Sequence, residues 1–281
     1  MTMKKNPARP FGPRIRELRK LKGWTQKDLG NRLNISGMTV ARWEHGDTDP
    51  NLKELMEIIS LFGVSFDFLM DGQMEYSFTQ YNDKYQNEEG FYWGTGIWDV
   101  AYEVLRLMPS TRPIRLLDIG CGEGQAAVFF ARNGYTVSAF DIAASGLKKG
   151  RRLAAENRLH VDFFQSNLIS YKFEKDFDII YGHGVLEYVP VKFRKRFISG
   201  VQEHTATGGL NVFDAFVSKS FIDPAPDWEA KKEHFWKTGE LFTYYSDNWK
   251  LEKVEEVIID CDSGGVPHRH CMDVLIARKM A

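Results

Sequence analysis

The stretch RLLDIGCGEGQ, residues 115–125, constrains the fold of this chain more than any other. An apolar strand runs directly into Gly120, Gly122 and Gly124, and a helical pattern follows over 124–133. Strand, glycine turn and helix make the opening unit of a parallel α/β sheet, and the glycines let the backbone approach a nucleotide-like ligand. The dinucleotide form of this unit spaces its glycines G-x-G-x-x-G. Counted from Gly120, the third glycine position is Gln125, and Gly124 arrives one residue early. No Gly-Lys-Ser/Thr follows, so the loop does not read as a polyphosphate cradle. The loop therefore need not hold a pyrophosphate.

The rest of the C-terminal half supplies the sheet. IRLLDIG, TVSAFD, VDFFQ, FDIIYG, GLNVFDAFV, LEKVEEVII and CMDVLIARK read as strands, with helices over 144–157 and 190–204 and a helical or mixed stretch over 227–246. Such alternation predicts a mostly parallel sheet with helices on both faces, closed by an antiparallel pair at one edge. Asp141 ends TVSAFD, 21 residues after Gly120, where an acid takes the hydroxyls of a ribose. S-adenosylmethionine, which has a ribose and no phosphate, fits this spacing better than a dinucleotide.

LLDIGCGEGQ, TVSAFD and the strand–helix alternation together resemble the class I S-adenosylmethionine-dependent methyltransferases over roughly residues 110–281. The resemblance implies an α/β fold, a Rossmann-like seven-stranded methyltransferase sheet. It also implies that Asp118, Gly120, Gly122 and Gly124 form the cofactor loop and that Asp141 and Ile142 hold ribose and flank adenine. Family members often carry an aspartate after strand three for the adenine amino group. Here the sequence reads QSNL, which puts Asn167, with Leu168 beside it, in that place. After strand four, GHGVLEYV puts His183 beside the sulfonium and the acceptor, as cofactor neighbour and candidate base. Glu187 reads as a cap or a solvent-facing residue. YNDKY (81–85), NGYTVSAFD (133–141), KTGELFTYYSDNWKLEKVEE (237–256) and the closing LIARK look like the tellurite-resistance, TehB-like methyltransferase group. That likeness implies a small-molecule acceptor, a chalcogen oxyanion or a thiol, in place of nucleic acid.

The net charge of −1 hides an asymmetry. Residues 1–46 carry eleven Lys and Arg against three acids, while the remainder carries 26 against 35. A basic head on an acidic body points to a polyanion-binding domain. Five short helical patterns fill residues 9–72, the fourth placing Leu52, Leu55, Met56, Ile59 and Phe62 on one side. The second and third are joined by about three residues around Asn34–Ile35, the link of a helix-turn-helix. WTQKDLGNRL, SGMTVARWEHG and DPNLKELMEII resemble the lambda-repressor-like (XRE-type) domain, a small all-α unit that binds double-stranded DNA. The resemblance puts Gln26 and the backbone near Ser36 on phosphate and turns Gly37, Met38, Thr39, Ala41 and Arg42 toward the groove. A homodimer follows from paired half-sites.

Between these halves, residues 73–112 form a joint rich in aromatics, nine between Tyr76 and Tyr102. The stretch 97–108 reads as a helix docked on the second domain, residues 113–281. Tyr81, Tyr85, Tyr92 and Trp93 are candidates for a lid over cofactor and acceptor, since aromatic faces suit a cation. Arg269, within PHRHC, is a candidate for an anionic acceptor. His268 and His270 share a strand face, but with no third ligand evident the reading is no metal. Three scattered cysteines and no long apolar run predict a reduced, cytoplasmic chain without a membrane span. The expected function is a DNA-binding protein that methylates a small molecule. The alternatives are a regulator that only senses S-adenosylmethionine, and a nucleic-acid methyltransferase. The last lacks an Asn/Asp-Pro-Pro-Tyr-like loop after strand four, where GHGVLEY stands.

Overall fold

The computed structural model describes residues 11–62, 64, 69, 81–86, 89–169, 171–222, 235–261 and 267–281, with the side chain of Leu21 excepted. The chain divides into two compact units, Met1–Tyr81 and Asn82–Ala281.

The first unit contains α1 (Phe11–Leu21), α2 (Gln26–Arg32), α3 (Gly37–His45) and α4 (Leu52–Phe62). Their starts are set by side chains that accept otherwise unsatisfied N–H groups. The hydroxyl of Thr25 accepts from Asp28 N while the Asp28 carboxylate accepts from Thr25 N, a reciprocal pair 3.1 and 2.8 Å long. Ser36 caps α3, and Asn51 with Glu54 forms a second reciprocal pair before α4. Gly46 ends α3 in a left-handed conformation. Ile15, Leu18, Leu29, Leu33, Val40, Trp43, Leu55 and Ile58 make the core. The inward face of α4 is rotated from the expected one. Leu52 and Met56 are 72% and 59% exposed, whereas Ile58, absent from the expected stripe, is buried. A 3.6-residue period cannot hold positions 52 and 58 on one face, and the residues nearest the α1–α3 core win. The fifth pattern, SFDFLMDG, lies outside the described residues apart from Leu69, whose carbonyl accepts from the Arg14 guanidinium.

The second unit is a seven-stranded sheet in the order β3-β2-β1-β4-β5-β7-β6. The strands are β1 (Arg115–Ile119), β2 (Thr136–Asp141), β3 (Asp162–Gln165), β4 (Phe177–Gly182), β5 (Thr205–Val217), β6 (Trp249–Cys261) and β7 (His268–Lys279). Strands β1 to β5 are parallel, and β7 runs antiparallel to both β5 and β6. The closing pair is thus not simply appended in order. β7 slots inside and β6 takes the edge, because CMDVLIA is buried on both faces while β6 alternates charged and apolar residues. One face is covered by α5 (Val100–Leu107), α6 (Gln125–Arg132) and α7 (Ala144–Glu156), around Val104, Phe130 and Leu147. The other is covered by α8 (Val191–Glu203) and by Trp236 and Leu241. Within the stretch read as helical or mixed, Leu241–Tyr244 is a 3-10 turn and 223–234 lie outside the described residues. The chain reverses its direction across the sheet between β1 and β4, so the carboxyl ends of these strands open the crevice where such folds bind ligands.

Candidate active site

β1 carries Asp118 to that crevice and turns through Gly120, Gly122 and Gly124, all with left-handed φ. A Cβ at Gly120 would collide with the buried Val185 side chain, and Gly124 meets backbone. A Cβ there would stand 2.8 Å from Gly150 Cα, so the close approach of α6 to α7 needs a glycine. The Asp141 carboxylate at the end of β2 fixes the loop by accepting from Gly122 N at 2.8 Å and Ala143 N at 2.7 Å. Each of its oxygens keeps a lone pair for a ligand hydroxyl. Burial pushes the Asp141 carboxyl up in spite of these bonds. Asp118 is buried, and among the described residues its Oδ2 has no hydrogen-bond partner. Burial, and then the charge of Asp141, push its carboxyl up to about 7.

The aromatic segment is fastened to this loop. Tyr85 is buried, with its ring against Gly146 and its hydroxyl near Gly122, and that hydroxyl accepts from Trp93 Nε1 at 3.0 Å. Gln125 Nε2 donates to the Gly94 carbonyl at 2.8 Å. Lys149 Nζ donates to the Gly90 carbonyl and pairs with the wholly buried Glu123 at 2.7 Å. Tyr92 packs edge-on to Trp93, and its buried hydroxyl has no partner among the described residues. Tyr81 is half-buried at the start of a helical stretch, 81–86, whose Asn82 carbonyl accepts from Ser145 Oγ.

After β4, His183 lies flat on Trp98, 4.3 Å between ring centroids. Its Nδ1 is bonded to Asp214 on β5, whose other oxygen accepts from Gly184 N at 3.0 Å. Burial works against the imidazolium, but the charge and hydrogen bond of Asp214 outweigh it and hold the His183 pKa above its ordinary value. The arrangement commits Nδ1 and leaves Nε2 for a ligand. Glu187 does not face solvent, contrary to expectation. The 3-10 turn Leu186–Tyr188 buries it, and Oε2 finds no partner among the described residues. Burial and the neighbouring Asp214 push its carboxyl well up. Trp98 and Asp214 were not singled out from the sequence. The signal for Asp214 is a lone acid inside NVFDAFV, since an unpaired charge is rare in a buried strand.

Other expected residues are engaged differently. Asn167 is buried, but its Oδ1 already accepts from Ile169 N at 2.8 Å, so it shapes its own turn. Leu168 is buried and Ile142 half-buried, with the Ile142 carbonyl accepting from Gln165. Arg269 is exposed opposite Asp260 at the start of β7, three strands from β1, so it is not gathered with the glycine loop. The third side chain missing from the two-histidine reading is Cys261, directly across from His268.

In the first unit, Met38 is 68% exposed and Arg42 is exposed. Thr39 shares a hydrogen bond with the capping hydroxyl of Ser36. Gly37 lies against Lys27 of α2. Gln26 donates its amide to Glu44 at 2.9 Å. Glu44 also accepts two hydrogen bonds from the Arg19 guanidinium, at 2.6 and 2.9 Å, while Arg19 Nη1 donates to the Trp24 carbonyl. These bonds tie α1, α2 and α3 together.

A family model described as Tellurite resistance protein TehB matches residues 84–263, and a helix-turn-helix model matches 15–69. Among curated proteins, "Hemagglutinin 1" of Eikenella corrodens is 29% identical over 151 residues, covering 53% of this chain and 48% of that protein. The "Probable S-adenosyl-L-methionine-dependent methyltransferase TehB" of Haemophilus influenzae is 23% identical over 149 residues, 51% of this chain and 52% of its own. The chain thus spans about half the length of these relatives. The solved structure of TehB from Haemophilus influenzae superposes with a TM-score of 0.57 at 20% identity, over 65% of this chain and 62% of that one, which shows the shared fold.

Proposed function

We infer from the family to which this chain belongs, that of the tellurite resistance protein TehB over residues 84–263, that its second unit transfers a methyl group from S-adenosylmethionine to a small anionic acceptor. The observation that carries the cofactor is the unpartnered Oδ2 of buried Asp118 beside Asp141, under a left-handed glycine loop. Two carboxylates there repel a pyrophosphate and attract a cation. A nucleoside with an ammonium and a sulfonium, and with no phosphate, fits that chemistry. Asp118 would hold the ammonium, Asp141 the ribose hydroxyls, the Gly120–Gly124 backbone the methionine part, and Ile142 and Leu168 the adenine. Asn167 would contribute through the turn it shapes. Tyr85, Tyr92 and Trp93 would cover the sulfonium side.

When bound, the cofactor supplies a methyl carbon already activated for in-line displacement. The chain's own residues have to bind, orient and exclude water. His183, oriented by Asp214 and stacked on Trp98, offers Nε2 to the acceptor. Its raised pKa favours the imidazolium, which suits holding an oxyanion or thiolate that needs no general base. The decisive experiment is calorimetric titration with S-adenosylmethionine, followed by S-adenosylhomocysteine release with selenite, tellurite and thiol acceptors. Micromolar-range binding and acceptor-dependent release are expected. Absence of binding overturns the cofactor reading, and binding without release on every acceptor converts the unit into a sensor.

The first unit is a helix-turn-helix, and we propose that it binds double-stranded DNA with α3 in the major groove. Exposed Met38 and Arg42, with Gly37 and Thr39 beside them and Ser36 at the helix start, would form the contact face, and Gln26 would support it through Glu44. Among the residues named for that face Arg42 is the cation, and affinity would rest mainly on phosphate contacts. Duplex binding that falls with salt is the expected result.

A further inference from the structure

The β6–β7 hairpin carries a second constellation that methyl transfer does not use. Cys261 ends β6 and pairs directly with His268, which begins β7, and His270 stands two residues on. Directly opposed residues share a face of the sheet, as do residues two apart along a strand. All three side chains therefore leave the same face. Their donor atoms all lie within 4.8 Å of one another. The two histidines meet Nε2 to Nε2 at 2.9 Å with their rings at 89°. His270 is buried against Phe216, while Cys261 and His268 are half-buried. A tetrahedral zinc ion with bonds of about 2.0–2.3 Å spaces its donors at roughly 3.3–3.6 Å. Side-chain rotations that move these donor atoms by about an ångström bring them to that spacing.

We propose that Cys261, His268 and His270 form a site for one zinc-class divalent cation. Two imidazoles and a thiolate are a borderline-soft donor set that favours zinc or cobalt over magnesium, calcium or manganese. Three ligands come from the described residues, and a tetrahedral ion takes a fourth donor. Binding releases the Cys261 thiol proton to solvent, so the complex strengthens as pH rises. The site is distinct from the methyl-transfer centre. Its nearest member, His270, lies four residues along β7 from Val274, the residue opposite Asp214, a separation along the strand of about 13 Å at about 3.3 Å per residue. The site bridges the edge strand β6 to its only neighbour in the sheet, β7, and so cross-links the sheet's last hairpin. This inference does not rest on the proposed methyl transfer.

The test is titration of the full chain, freed of metal by chelator, with cobalt(II) under reducing conditions. A thiolate-to-cobalt charge-transfer band that saturates at one ion per chain and is displaced by zinc is expected. Cys261→Ser should abolish the band, and His270→Gln should weaken zinc binding by about a hundredfold in a chelator competition, with far-UV circular dichroism unchanged. The band should persist in Cys121→Ser and Cys271→Ser. No charge-transfer band in the wild type, or a band that survives Cys261→Ser, overturns the proposal.

Discussion

Asp118 is a carboxyl held where ionisation is costly. With its pKa raised to about 7 in the folded state, the native protein binds a proton that the unfolded chain has released between about pH 4 and 7. Its contribution to stability therefore falls as pH rises through that window, by a few kcal/mol at ~1.4 kcal/mol per unit. Asp118→Asn should raise the melting temperature at pH 8 relative to wild type, and the gain should vanish at pH 4. The same substitution should weaken S-adenosylmethionine binding by about tenfold or more, the worth of a charge-assisted hydrogen bond. Thermal melts across pH and one calorimetric titration check both signs. At His183 the linked quantity is activity. An imidazolium that holds an anionic acceptor is lost as pH rises through its raised pKa, so turnover of a pre-ionised acceptor should fall there. Asp214→Asn removes the charge that raises the pKa, and the descending limb of the pH profile should move to lower pH. An unmoved limb would separate Asp214 from the chemistry.

The loop and the capped helices are legible because local chemistry decides them. Gly124 has φ of +84° and no room beside Gly150, so Gly124→Ala should cost upward of about 1–2 kcal/mol, seen as an earlier denaturant midpoint. Ser36→Ala should cost about 1 kcal/mol in the first unit by removing the cap of α3. Both positions stand out in the sequence as a glycine in a turn and a serine before a helical pattern. What was not legible is settled by packing between distant elements. α4 presents Ile58 inward and not Leu52 because of the surface it meets. β7 enters between β5 and β6 because its central run, CMDVLIA, is buried on both faces. Glu187 and Asp214 become site residues because a 3-10 turn and a strand end bring them to His183. Cys261 joins two histidines only through hairpin register, which residue spacing cannot state.

The two compact units have separate cores, one around Ile15, Trp43 and Ile58 and the other around the sheet. Calorimetric unfolding should accordingly resolve two transitions. S-adenosylmethionine at a hundred times its dissociation constant should stabilise the transition of the second unit by about 2.7 kcal/mol and leave the first in place. Duplex DNA should do the reverse, and Arg42→Ala should flatten the salt dependence of DNA binding by about one phosphate contact. A single transition responding to both ligands would show that the units unfold together. The ties between residues 90–94 and the glycine loop add a matter of timing. Gln125 to Gly94, Trp93 to Tyr85 and Lys149 to Gly90 are separate bonds across one seam. If the segment is the lid proposed above, a ligand beneath that seam enters and leaves only as these bonds open. Loosening one of them, as in Gln125→Ala, speeds arrival and departure alike, so its mark is a shorter residence time at nearly constant affinity.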